Sequence, residues 1–156
     1  MSDEGREPTE SADAELPPPP PPLAAPPAAT EWTMSVAIGI MQLAGLASIG
    51  AGAIHAGAAG LHAEHTTLAR LFVAVAVAQI GVGLLALVRG GRLAAATTAL
   101  VNLGAVAAWG ASRLWGISWI DGLEVAEDPQ FTDTACATLG AIAAVAAIIA
   151  LVRGRT

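Results

Sequence analysis

Four apolar runs govern what this chain can fold into. They cover residues 33–56, 68–88, 93–115 and 134–152, and the only charged side chains inside them are Arg70 and Arg113. A helix of about twenty apolar residues crosses the roughly 30 Å hydrocarbon core of a bilayer. Hydrocarbon offers no partner to a free backbone amide, so such a run must satisfy its own hydrogen bonds as a helix. The breaks between runs are short or polar. The expected fold is an all-α membrane protein with four transmembrane helices in an antiparallel bundle, occupying residues 32–156.

Composition narrows the function classes. The chain has 156 residues, 54% of them hydrophobic and 13% charged, and seven of the thirteen acids lie within the first 31 positions. Without that segment, too few polar residues remain to cover a soluble surface, which excludes a soluble enzyme. All seven basic residues are Arg and they form no patch, so no nucleic acid is expected as a partner. The expected partners are the lipid bilayer and, beyond it, another membrane protein or further copies of the same chain. Cys136 is the single cysteine and sits inside an apolar run, where it reads as a small buried filler.

Residues 1–31 are acidic and then Pro-rich, with a proline run from Pro17 to Pro22. Such a segment has too little apolar surface to offset the entropy of ordering, and is expected to form a disordered tail.

The few polar residues inside the runs mark the faces that meet other helices. In the first run Gly45, Ser48, Gly52 and His55 share one face, and small residues there permit close helix contact. Gln79 and Asn102 fall near mid-membrane, where an amide turned to lipid costs several kcal/mol, about the price of an unmade hydrogen bond. Both are expected to point inward and bond between helices, in preference to lining a permeation path. Asn102, Val106, Trp109 and Arg113 form one stripe, and Arg113 is expected to pair with Asp133 or a neighbouring acid, with binding of an anionic ligand as the sharper alternative. Trp109, Trp115 and Trp119 read as an interfacial belt. The loop 116–131 is acidic, Pro129 stops any helix within it, and Asp133 is placed to cap the fourth helix. Arg89, Arg92, Arg153 and Arg155 collect at the opposite end. The positive-inside rule places that end, and hence both termini, in the cytoplasm of a bacterial cell.

All three histidines lie in the stretch from His55 to His65, which joins the first two runs. His55 and His62 are seven residues apart, and His62 and His65 three apart, so a continuing helix would bring them to one side. With Glu64 beside them, His55, His62 and His65 form a candidate ligand set for a divalent transition metal such as zinc or copper. Gly57 and Gly60 interrupt the stretch and favour a helix end near Ala56, which leaves an interfacial loop of hydrogen-bonding histidines or a proton-responsive group as the other readings. All three histidines come from one hairpin, which disfavours a haem held between facing helices. No P-loop, no Gly-x-Ser-x-Gly and no Cys/His pair in reach is apparent, so no enzymatic activity is expected.

Ile54-His55 with His62, then Phe72 with Gln79, then Trp109, Ser112-Arg113 and Gly116-Ile117 together resemble a family of small four-helix membrane proteins common in actinobacteria. In that family a histidine ending the first helix precedes a second by about seven residues, followed by a Phe-x6-Gln stretch and a Trp-x2-Ser-Arg stretch that leads into an acidic loop. The resemblance spans roughly residues 36–150. It departs at Gly60-Leu61, where Pro-Glu is common, and at His65, where an acid is common. It implies the four-helix architecture and the polar positions worth following, and carries no activity with it. The functions left open are a membrane component with an outward-facing His/acid site, a structural subunit of a larger complex, and one protomer of a small oligomeric transporter.

Overall fold

The computed structural model describes residues 29–154, with side chains from residue 39 onward. Its four helices are α1 (Ala29–Leu61), α2 (Thr66–Val88), α3 (Gly91–Leu114) and α4 (Phe131–Arg153). Each contains a stretch long and apolar enough to cross a membrane. The tail expected over residues 1–31 lies outside the described residues, except for its last three, which already belong to α1.

The helices follow one another up and down. α1 packs on α2 and α4, α3 packs on α4 and α2, and α1 and α3 face each other across the diagonal. The turn from α2 to α3 is abrupt because Gly90 and Gly91 take φ of 57° and 78°, a left-handed backbone that costs a residue with a Cβ about 1–2 kcal/mol.

Side-chain size sorts by direction. The centre holds Ala44, Ala99, Ala146 and Ala147 in one layer, and Met41, Ala86, Ala94 and Ala95 in the next. Leu46, Val77, Leu84, Leu100 and Val145 point outward and are exposed. Lipid is as apolar as leucine, so a membrane bundle gains most from small interior residues that let backbones approach. The α1–α2 seam shows this directly. A Cβ on Gly45 would stand 2.8 Å from the Gly83 carbonyl, and one on Gly83 would stand 2.8 Å from the Gly45 carbonyl. The face carrying Gly45, Ser48, Gly52 and His55 is the one pressed against α2, as the spacing predicts.

Three expectations need correction. α1 does not end near Ala56: it runs through Gly57 and Gly60 to Leu61, because nothing stands within 4 Å of a Cβ at either glycine and no neighbour forces a bend. Asp133 does not cap α4, which begins two residues earlier; it sits in the first turn, where a carboxylate favours the positive end of the helix dipole. Trp109 is no belt residue. It turns into the bundle, while the other two of the three, Trp115 and Trp119, are widely exposed.

Candidate functional site

A continuous chain of hydrogen bonds climbs the centre of the bundle and fixes the site from below. It starts at the Thr98 carbonyl, which can only accept. Asn102 Nδ2 donates to it at 2.9 Å, and also to Ser48 Oγ at 2.9 Å. That orients the Asn102 amide, so Oδ1 must be the atom that accepts from Gln79 Nε2 at 3.0 Å. Gln79 Oε1 is then an acceptor, and His55 Nδ1 donates to it at 2.8 Å. Ser48 Oγ closes the group by donating to the Gln79 carbonyl at 2.8 Å. Ser48, Gln79, Thr98 and Asn102 are fully buried, and each of these polar groups is placed by the one before it. The interhelical role expected of Gln79 and Asn102 is the one they have.

Cys136, on α4, approaches His55 from another side. Its thiol donates to the Ala51 carbonyl at 3.4 Å and lies 3.3 Å from His55 Nδ1 and 3.9 Å from Nε2. A sulfur on the in-plane lone-pair axis of Nε2 would be much farther from Nδ1 than from Nε2. The two distances therefore put Sγ against the ring and leave that axis clear. A Cys/His pair is thus in reach after all. The sequence contained a signal for it: Cys136 is three residues beyond Asp133, on the same helical face.

Above His55 a cavity of about 490 Å³ is lined by residues of all four helices and of the segment between α3 and α4. His55, Gln79 and Cys136 form its floor, and Phe72, Val106 and Trp109 stand in its walls. The segment between α3 and α4 folds over the top as a tight double turn. Ile120 N–H donates to the Ile117 carbonyl at 2.9 Å and Leu123 N–H to the Ile120 carbonyl at 3.0 Å, which buries Ile120 against the bundle.

At the rim Arg113 is held by two carboxylates. It donates to Glu127 at 2.8 Å and forms an ion pair with Asp133, which also accepts from Trp109 Nε1 at 3.3 Å. The Arg113–Asp133 pair was legible from the sequence. Glu127 as the second partner was not, because a loop carboxylate has no periodicity to place it.

The four candidate metal ligands do not converge. His55 and His62 both line the cavity and flank Phe72, with ring centroids 5.7 and 5.4 Å from it. His65 lies outside, paired with Asp121 at 2.9 Å, and Glu64 is exposed on the turn. Among the described residues, no group of three or more His, Cys, Asp or Glu side chains is close enough to hold a metal ion. The His65 ring is held above its ordinary pKa, first by the hydrogen bond to Asp121 and then by the charges of Asp121, Glu64 and Glu124. Asp121 is held below its ordinary value by the same hydrogen bond.

No family model, no curated protein and no solved structure matches this chain.

Proposed function

We propose that this chain is a multi-pass membrane protein that binds a small, mostly apolar molecule in the cavity above His55, and that it acts as a binding component without catalysis. The observation that carries this reading is the cavity itself. Its volume of about 490 Å³ falls in the range of small-molecule sites, its walls are largely apolar, and a few fixed polar groups converge on its floor.

The charge pattern supports an orientation. Arg89, Arg92 and Arg153 lie at the end opposite the cavity, which the positive-inside rule assigns to the cytoplasm of a bacterial plasma membrane. The cavity then opens towards the outside, beneath the acidic loop.

Two measurements on protein in lipid nanodiscs test the reading. Naphthalene-sized aromatic probes should be retained above the level of empty nanodiscs, and Ala137→Trp or Ala58→Trp, which fill the cavity from α4 and α1, should abolish the excess. Metal analysis provides the opposing outcome. Equimolar zinc or copper in the wild type, lost in a His55→Ala/His62→Ala variant, would return the histidines to a metal site.

A further inference from the structure

Resting on the cavity reading above, we infer that the molecule taken up is an uncharged apolar compound whose buried end carries a hydroxyl donor, an alcohol or a phenol, received by Nε2 of His55. The hydrogen-bond chain decides this. It begins at a backbone carbonyl that can only accept, and each successive amide is thereby oriented until Gln79 Oε1 presents an acceptor to His55 Nδ1. The proton of the neutral ring is therefore on Nδ1. Nε2 carries the lone pair on the opposite side of the ring from Gln79, turned away from the buried amides, where His55 lines the cavity. The Cys136 sulfur lies against the ring and does not occupy that lone-pair axis. A fixed acceptor in an apolar chamber selects a donor, because a ligand without one leaves the imidazole nitrogen desolvated and unpaired.

The charges around the cavity exclude the other classes. Arg113 is the cation at the rim and is already matched by Asp133 and Glu127, so the rim carries two carboxylates for one guanidinium. Asp121, Glu124 and Asp128 add negative charge in the loop above. An anionic ligand meets two carboxylates at the rim, and the one cation there, Arg113, has only its Nε–H left to offer, its charge being matched already. A cationic ligand is drawn to the rim, but the two carboxylates that line the cavity, Glu127 and Asp133, are engaged by Arg113, and among the described residues none lies within ion-pair distance of His55 on the floor. An uncharged hydroxyl compound meets neither obstacle.

The test uses three probes of one shape on nanodisc-embedded protein at neutral pH: 2-naphthol, its methyl ether and 2-naphthoate. Binding is measured by dialysis against empty nanodiscs of the same lipid. Naphthol should bind about tenfold more tightly than the ether, the ratio that a hydrogen bond of about 1.4 kcal/mol supplies. Naphthoate should bind least. In His55→Phe the naphthol-to-ether ratio should fall to near one, while Ala137→Trp should lose all three. If naphthol and ether bind alike in the wild type, or naphthoate binds best, the hydroxyl inference is wrong and the cavity reading stands. If no probe exceeds the empty nanodiscs, the cavity reading fails as well. The wild-type ratio decides the matter even where His55→Phe does not fold.

Discussion

Gln79 is the residue on which most of the interior depends. It accepts from His55, donates to Asn102 and receives the Ser48 hydroxyl on its backbone carbonyl. Gln79→Leu should lower stability by about 1–3 kcal/mol, because it leaves His55 Nδ1–H and Asn102 Oδ1 buried without partners. Reversible unfolding in mixed micelles measures this. The triple variant Ser48→Ala/Gln79→Leu/Asn102→Leu should lose less than the sum of its single variants, since it removes the partners together. Additive losses would show that the three do not act as one network. The polar residues themselves were legible in the sequence, because an amide inside an apolar run has few places to go. Their pairing was not. That Gln79 meets both His55 and Asn102 depends on the rotation of each helix about its axis, which for α1 against α2 is set by contacts such as Gly45 on Gly83.

Glycines distinguish the helix that must approach a neighbour from the helix that need not. Gly83→Val should prevent α1 and α2 from packing, since even a Cβ there meets Ile49 Cγ1 at 2.7 Å. Gly104→Ala meets nothing within 4 Å, so it should be neutral or stabilise α3 by up to about 1 kcal/mol. Thermal unfolding of the two variants compares them directly. The segment between α3 and α4 is fastened to the α1–α2 turn by His65 and Asp121, and this contact responds to pH. The His65 pKa is raised in the folded protein, so its stabilisation is complete below the ordinary histidine value and is lost as pH rises through the raised one. The Asp121 pKa is lowered, so its part is present above the ordinary carboxylate value and is lost as pH falls through the lowered one. The fastening therefore holds from mildly acidic pH up to the raised histidine value and releases beyond it. Hydrogen exchange at residues 117–123, corrected for the intrinsic effect of pH, should quicken at alkaline pH in the wild type. In Asp121→Asn it should already be fast at pH 6. A wild-type profile that is flat across the histidine range would rule the fastening out as a pH-sensitive contact. The four helices were legible as elements because hydropathy is a property of composition. Their ends were less so: Gly57 and Gly60 favour a break that no neighbour imposes, and α1 continues past them.

As a whole molecule, the bundle keeps small residues inside and large ones outside, and places Arg89, Arg92 and Arg153 at the end opposite the cavity. A cysteine introduced at Asp128 should react with an impermeant maleimide added outside intact cells, and one at Arg89 only after the membrane is opened; the reverse pattern would invert the proposed orientation. Cys136 is buried and should contribute little background. The burial of Asn102 also bears on how the chain is made. On α3 alone, Asn102 keeps only its bond to the Thr98 carbonyl, and its Oδ1 has no partner in hydrocarbon until α2 docks. Docking with α2 supplies that partner, Gln79 Nε2. The same contact that satisfies the Asn102 amide therefore also orients the Gln79 amide towards His55, so the order in which the helices meet and the proton position on the ring are fixed together.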